Sequence, residues 1–182
     1  MNQIYLKELN KSQINIDIFV KFNRYQEVKK CWRKQNGDWV LKDIPFTENW
    51  SMDDYNTLIE HLYRTIDAGG KVTGAFYNDE LVGFASVENE LFGSNKDYLQ
   101  LSSLHTSYDY RGMGIGKKLF RLTCEQAKAM GAKKLYISTH SSEESQAFYK
   151  AVGCREAVEY NERLVAEEPC DCQLEYSLEA IE

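Results

Sequence analysis

The stretch YDYRGMGIGKKLF, residues 108–120, decides how this chain is interpreted, because three glycines stand where a helix begins: Gly112, Gly114 and Gly116. A glycine inside a helix costs about 0.5–1 kcal/mol relative to alanine. The first amides of a helix have no partner within the helix, and the helix dipole makes that end partly positive. A backbone without Cβ atoms lets an anion approach those amides. The stretch therefore predicts a phosphate-binding turn between a strand and a helix.

The spacing of the glycines excludes two familiar phosphate-binding loops. A P-loop requires G-x-x-x-x-G-K-[ST], which residues 112–118 do not supply. A dinucleotide-binding turn requires G-x-G-x-x-G, whereas this stretch has the spacing G-x-G-x-G. The predicted anion site therefore belongs to neither class.

Outward from the turn, hydrophobic periodicity and turn residues predict the remaining elements. The segment 51–70 is expected to be a helix with Ser51 as N-cap and Asp54 three residues later, and Asn78-Asp79 marks a hairpin turn. Residues 33–50 show no clear period. The other predicted strands are 4–9, 97–106, 133–139, 154–160 and 172–180, and the other helices are 11–32 with a break near Asn23, 115–130 and 142–153. The order β-α-α-β-β-β-α-β-α-β-β predicts a mixed α/β layer fold and not a regular βαβ array.

Composition limits the class of partner and the compartment. The chain has 182 residues and a formal net charge of −6, which argues against a general nucleic-acid-binding protein. It contains no apolar run long enough for a membrane span and no signal-peptide pattern at the N-terminus, so we expect a cytoplasmic protein that does not bind membranes. Its five cysteines are scattered and are expected to be reduced thiols.

Two motifs, in order and with a predicted strand between them, resemble one known family. Residues 111–116, RGMGIG, resemble the R/Q-x-x-G-x-G/A signature of the GNAT superfamily of acyl-CoA-dependent N-acyltransferases. Residues 141–154, SSEESQAFYKAVGC, resemble the second landmark of that family, in which a tyrosine lies near the CoA sulfur. The resemblance implies an α/β GNAT-like fold with a central, mostly antiparallel sheet of about seven strands flanked by helices. It also implies one domain over residues 1–182, with acceptor-side helices in 1–70, an acetyl-CoA-binding core in 72–160 and a closing loop and strand in 161–182.

The same resemblance implies the chemistry and most of the site. We expect direct transfer of an acetyl group from acetyl-CoA, a co-substrate, with no metal and no covalent enzyme intermediate. Tyr149 takes the position of the family's tyrosine and is expected to protonate the departing thiolate. Ser142 stands where asparagine is usual and Ser145 where alanine is usual. The expected cofactor-binding residues are Leu104, His105, Thr106, Arg111, Gly112, Met113, Gly114, Ile115, Gly116, Lys117, Ser142, Ser145 and Phe148.

The proton acceptor for the incoming amine is less clearly indicated. An alkyl ammonium group must lose a proton before its nitrogen can attack. Glu88 is our predicted catalytic base, with Glu90, His105 or a water molecule as alternatives. The same glutamates could instead be solvated turn residues, and His105 could be a packed strand residue.

Acidic and aromatic residues suggest the acceptor. The segment 155–182 is strongly acidic, and Asp43, Glu48, Asp53 and Asp54 add carboxylates from the N-terminal half. If these groups frame a site, with walls drawn from Trp32, Trp39, Phe46 and Trp50, it would attract a small, cationic primary amine. The alternatives are a solvated acidic face, an acetyltransferase of protein or peptide amines, and an acyl-CoA-binding regulatory module without turnover. The resemblance also implies a homodimer as one assembly.

Overall fold

The computed structural model describes residues 3–179 and gives the elements the following bounds. The strands are β1 (Tyr5–Leu9), β2 (Gln26–Gln35), β3 (Asp38–Glu48), β4 (Lys71–Tyr77), β5 (Glu80–Val87), β6 (Tyr98–Thr106), β7 (Lys134–Thr139), β8 (Arg155–Glu156) and β9 (Cys172–Ser177). The α-helices are α1 (Met52–Asp67), α2 (Ile115–Ala129), α3 (Glu143–Ala151) and α4 (Glu162–Glu167). Residues 1–2 and 180–182 of the predicted domain, including the last residue of the predicted strand 172–180, lie outside the described residues.

Seven of these strands form one sheet in the order β1-β4-β5-β6-β7-β9-β8, and β2 and β3 form a separate hairpin. Every neighbouring pair in the large sheet is antiparallel except β6 and β7. Helix α2 packs on one face of this sheet, while α1 and the 3-10 helices at Lys11–Gln13 and Ile16–Phe19 cover the other. The predicted mixed α/β fold with about seven strands is confirmed.

The parallel pair β6–β7 opens the sheet. Its pairing covers only Tyr98↔Lys134, Leu99↔Leu135 and Gln100↔Tyr136. Beyond Gln100 the two strands separate, although β6 remains paired with β5 as far as Thr106. The β7 side of β6 therefore presents unpaired backbone groups to a gap in the middle of the sheet. A register shift against β5 between Ser86 and Val87, opposite Ser102, lies at the start of this gap.

The N-terminal third differs most from expectation. The predicted helix over 11–32 is wrong, because the chain makes two short 3-10 helices and then enters β2. The buried residues of β2, Val28 and Cys31, are three positions apart, a spacing that is also typical of a helix face. The register of β2 against β3 shifts between Val28 and Lys30, so these two buried residues lie on either side of an irregularity in the pairing. The segment without a clear period contains β3, whose register shift falls at Ile44-Pro45.

Hairpin β2–β3 lies across the loop that joins β7 to α3. The amide of Trp32 donates to the carbonyl of Ser141 over 2.7 Å, and Arg33 Nη1 donates to Ser141 Oγ over 2.6 Å. At the tip, Lys34 Nζ and Glu156 form an ion pair of 2.7 Å. These contacts fix the hairpin so that the first residue of β2, Gln26, and the last residue of β3, Glu48, lie beside the gap between β6 and β7.

Local signals account for the boundaries of α1. Ser51 Oγ accepts from the amide of Asp54 over 3.3 Å, and the Asp54 carboxylate accepts from the amide of Ser51 over 2.7 Å. This reciprocal capping box confirms the predicted N-terminus.

Within residues 3–179, no helix has the length and apolar character needed to cross a membrane.

Candidate active site

A cavity of about 900 Å³ occupies the gap between β6 and β7. Leu104 and Ile137 line it and also pack in the core beneath α2. His105, the next residue of β6, contacts Phe84 and Trp50 on the face of α1. Since neighbouring residues on a strand point to opposite faces, the cavity is bounded by side chains from both faces of the sheet. Such an opening allows two substrates to meet from opposite sides.

The glycine stretch forms one end of this cavity. Gly114 is the N-cap of α2 and has a φ of +77°, and Gly112 has a φ of +80°, both in the left-handed region that favours glycine. A Cβ built on either residue would meet no atom within 4 Å, so both open onto free space. Backbone amides of the first turn of α2 and the cations Arg111 and Lys117 surround that space. This arrangement fits the phosphates of a CoA group.

Gly116 is required by packing instead of by its backbone conformation. A Cβ at this position would lie 3.1 Å from Cε2 and 3.3 Å from Cζ of Phe148. Its absence allows the first turn of α2 and helix α3 to approach each other beside the cavity. The three glycines therefore serve two purposes: two set the turn, and one permits close contact between helices.

The unpaired edge of β6 forms the adjoining wall. Leu104 and Thr106 pair with Ala85 and Gly83 of β5 on one side and face the cavity on the other. Arg111 Nε donates to the carbonyl of Thr106 over 3.4 Å, which ties the glycine turn to the end of this strand. An extended ligand arm can pair with such an edge as an added strand does.

Tyr149 lines the cavity from α3 and is 7% exposed. Burial raises the pKa of its phenol, and the charges of Cys154 and Asp171 raise it further, while a hydrogen bond with Thr139 lowers it. The phenol is therefore protonated throughout the neutral range and can donate a proton or a hydrogen bond. Phe148, which precedes it, also lines the cavity.

The two serines of the second motif have different positions. Ser142 is fully buried, lies outside the cavity lining and caps α3, where its Oγ accepts from the amide of Ser145 over 3.3 Å. Ser145 lines the cavity.

The side chain of Met113, also predicted to bind the cofactor, is half exposed at the tip of the turn and is outside the lining.

Glu88 lies just beyond the end of β5 and outside the cavity lining. Its Oε1 accepts a hydrogen bond from Thr65 Oγ1 over 2.7 Å and another from Ser102 Oγ. Ser102 does line the cavity, so one hydroxyl separates this carboxylate from the predicted reaction space. Glu90 is exposed and also lies outside the lining.

His105 lines the cavity but is enclosed by two aromatic rings, with centroids 4.9 Å away at Trp50 and 5.2 Å away at Phe84. Burial lowers its pKa to about 3, and the charges of Arg24 and Arg111 act in the same direction. The ring is therefore neutral at physiological pH and is a weak proton acceptor.

The wall on the α1 face comes from residues far apart in the sequence. Arg24 precedes β2, Glu48 ends β3, and Trp50 follows it. Arg24 Nη2 and Glu48 Oε2 are 3.2 Å apart, and the guanidinium carbon lies 4.8 Å from the centroid of the Trp50 ring. Among the aromatic residues expected to wall an acceptor site, Trp50 lines the cavity, whereas Trp39 donates its indole N–H to Glu156 over 3.2 Å.

Two acidic residues of the closing loop, Glu168 and Asp171, complete this wall. The amide of Asp171 donates to the carbonyl of Glu168 over 3.0 Å, in a turn that holds both residues at the cavity. Of the carboxylates expected in the N-terminal half, Glu48 is present in the lining, while Asp54 caps α1. The acidic character of this loop was predicted from sequence, but Asp171 was not identified as a site residue. The local feature that could have indicated it is its position immediately before a strand.

Comparisons with known proteins agree with this geometry. A model of the acetyltransferase (GNAT) family matches residues 30–154. The uncharacterized N-acetyltransferase YjgM of Escherichia coli (strain K12) is 32% identical over 97 residues, which is 52% of this chain and 58% of that relative. The match therefore spans less than two thirds of that curated protein.

Two solved structures share the fold at low sequence identity. Nourseothricin acetyltransferase has a TM-score of 0.68 and 16% identity, with 96% of this chain and 98% of that chain covered. PaiA N-acetyltransferase of Thermoplasma acidophilum, solved with coenzyme A, has a TM-score of 0.60 and 17% identity, with 96% and 99% covered. Since the family model covers more than half of the sequence, the chain belongs to the GNAT acetyltransferase family.

Proposed function

We propose that this protein transfers an acetyl group from acetyl-CoA directly to a primary amine of a small, cationic molecule. The acetyl-CoA half of the proposal is supported by the glycine turn with Arg111 and Lys117, and by the unpaired edge of β6. Of the residues predicted to bind the cofactor, the turn apart from Met113, the β6 edge, Ser145 and Phe148 line the cavity. We propose these residues as its binding groups and Tyr149 as the donor to the departing thiolate.

The observation that carries the substrate class is the pair of carboxylates on the α1 face. Arg24 is paired with Glu48, and Arg111 and Lys117 belong to the glycine turn. Glu168 and Asp171 take part in no ion pair within residues 3–179, which leaves their charge available to a cationic acceptor. Trp50 provides an aromatic surface on the same face.

The five free thiols are consistent with the cytoplasmic location that we also propose.

A matched series of amines tests the substrate class. Cadaverine, pentylamine and 6-aminohexanoate share one primary amine on similar chains and differ in whether the far end is cationic, neutral or anionic. With acetyl-CoA and release of free CoA thiol as the assay, we expect kcat/KM to fall at least about tenfold at each step of that order, or about 1.4 kcal/mol. The advantage of cadaverine should shrink with added salt, because the attraction is electrostatic.

Larger amines extend the same assay. Nourseothricin, kanamycin, spermidine and L-lysine all carry ammonium groups at neutral pH, and mass spectrometry would identify the acetylated product. Acetylation of peptide N-termini alone would contradict the small-molecule proposal. Tight acetyl-CoA binding without acetylation of any amine would instead support a regulatory acyl-CoA-binding module.

A further inference from the structure

The carboxylate that takes the proton of the incoming ammonium group has to face the cavity. Glu88 is separated from the cavity by Ser102, Glu90 lies outside the lining, and His105 is a weak proton acceptor because burial lowers its pKa to about 3. A different carboxylate, Asp171, lines the cavity itself.

Strand pairing fixes the position of Asp171. The next residue, Cys172, begins β9 and is in register with Thr139 at the end of β7. Asp171 is therefore held where β7 borders the gap, and Ser138 Oγ approaches its Oδ2 at 3.5 Å. Its own amide is used in the turn with Glu168, so the carboxylate is anchored from both sides of the residue.

Asp171 shares the cavity with Tyr149, the proposed donor to the thiolate. Burial is the main cause of the raised pKa of the Tyr149 phenol, and the charge of Asp171 adds to it. The amine has to attack the carbonyl carbon beside the sulfur atom, so a carboxylate that lines the same cavity as Tyr149 is placed to reach the attacking nitrogen.

The surroundings of Asp171 suit a proton acceptor. The ionisable groups around it are Glu168 on its own turn, Tyr149 on α3, Cys172 on β9 and His140, which follows β7 and lines the same cavity with its pKa lowered by burial. Burial raises the pKa of Asp171 to about 6, and the charge of Glu168 adds to the effect. The group is therefore more basic than an ordinary carboxylate and still mostly ionised at neutral pH, the combination that favours general-base catalysis.

We infer that Asp171 is the catalytic base that receives the ammonium proton of the acceptor, an assignment that rests on the proposed acetyltransferase function. The neutral nitrogen then attacks the thioester carbon, a C–N bond forms, and the C–S bond breaks. Tyr149 gives its phenol proton to the departing thiolate. The attacking nitrogen then releases its own extra proton, which restores the phenol, and the proton held by Asp171 passes to solvent. The products are the acetylated amine, free CoA thiol and one released proton.

Substitution of Asp171 by asparagine tests this assignment. We expect Asp171→Asn to lower kcat for cadaverine by about 10²–10⁴-fold and to remove the acidic limb of the kcat–pH profile. Acetyl-CoA affinity should stay within twofold of the wild-type value. Glu167→Gln is the matched control, because Glu167 ends α4 four residues before Asp171, and its carboxylate pairs with Arg163 outside the cavity; its kinetics should equal those of the wild type. Should Asp171→Asn fail to fold, Asp171→Ser supplies the same loss of the carboxylate.

Hydrolysis of acetyl-CoA in the absence of any amine separates this inference from the proposed function. A base that faces the thioester should also assist attack by water, so Asp171→Asn should slow hydrolysis while Glu167→Gln should not. That result would support Asp171 even if every amine tested were inert. Wild-type kcat and an unchanged acidic limb in Asp171→Asn would overturn the assignment, as would a change in KM alone. Loss of the acidic limb in Glu88→Gln, with Asp171→Asn unaffected, would overturn it in favour of Glu88.

Discussion

At the scale of single residues, burial raises the pKa values of two groups in the cavity, a phenol and a carboxyl group, with different chemical consequences. Burial raises the pKa of the Tyr149 phenol, which keeps it protonated as a donor. Burial and Glu168 raise the pKa of Asp171 to about 6, which makes it a better acceptor while leaving it ionised at neutral pH. The proposed acetyl transfer to an amine needs both a donor and an acceptor, and Tyr149 and Asp171 of one cavity are the groups that we propose for these roles.

Replacement of Tyr149 by phenylalanine removes only the proposed donor. We expect Tyr149→Phe to lower kcat about 10²–10⁴-fold, because the thiolate would leave without a proton, while acetyl-CoA binding is retained. Steady-state kinetics and calorimetric titration with acetyl-CoA measure the two effects. Tyr136→Phe is the control, because Tyr136 is a buried phenol outside the cavity whose oxygen donates to Gln173 over 2.6 Å. Equal kcat values for Tyr149→Phe and the wild type would exclude Tyr149 from the chemical step.

At the scale of elements, helix α2 has a left-handed glycine at each end, and we propose a binding role for the one at its N-terminus only. It begins at a glycine with a φ of +77°, Gly114, and the residue that follows its C-cap is Gly131, with a φ of +95°. A Cβ would meet nothing within 4 Å at either position. The same backbone requirement is therefore present at both ends, but only Gly114 lies at the cavity.

This pair of glycines separates stability from binding. Alanine at Gly114 or at Gly131 should lower the free energy of unfolding by about 1–2 kcal/mol, because an L-residue is strained in the left-handed region. Only Gly114→Ala should also weaken acetyl-CoA binding, since its Cβ enters the space proposed for the phosphates. Chemical denaturation and acetyl-CoA titration of both variants check the expectation. Equal acetyl-CoA affinity in the two variants would argue against the glycine turn as the phosphate site.

At the scale of the whole molecule, Glu175 of β9 connects several elements beneath the sheet. Its side chain is 1% exposed and forms ion pairs with Lys134 of β7 at 3.4 Å and with Arg155 of β8 at 2.9 Å. It also accepts a hydrogen bond of 2.5 Å from Tyr98 of β6. Burial alone would raise the pKa of Glu175, but hydrogen bonds from Tyr98, Arg155 and the amide of Val158, with the charge of Lys134, lower it overall.

The lowered pKa predicts how stability depends on pH. Since the folded protein binds the Glu175 proton less tightly than the unfolded chain does, the stabilisation is complete above the unfolded pKa of about 4.3 and is lost as the pH falls through the folded pKa. Glu175→Gln should lower the free energy of unfolding at pH 7 by about 1–3 kcal/mol, and its difference from the wild type should shrink in acid. Urea denaturation from pH 7 to pH 3 measures this. An exposed control, Glu167→Gln, should change stability by less than about 1 kcal/mol; a pH-independent difference for Glu175→Gln would contradict the expectation.

Prediction from sequence succeeded where the signal is local. The capping box of α1, the β4–β5 hairpin at Asn78-Asp79 and the turn into α2 each depend on residues within a few positions of one another. It failed for β2, because Ile14, Ile18, Phe22 and Tyr25 are spaced as on a helix and suggested one helix over 11–32. What makes this segment a strand is pairing with β3 and contact with the β7–α3 loop, which lies more than a hundred residues away.

The same distinction divides the candidate site. The proposed cofactor side could be predicted from sequence, since the strand, the glycine turn and the N-terminus of α2 are contiguous and their free amides follow from helix geometry. The proposed acceptor side depends on tertiary contacts, because Arg24, Glu48, Trp50 and Asp171 come together from opposite ends of the chain. The physical reason is that β6 and β7 separate after three paired residues. Side chains that are distant in the sequence line the gap between these strands, and local sequence patterns do not predict which ones they are.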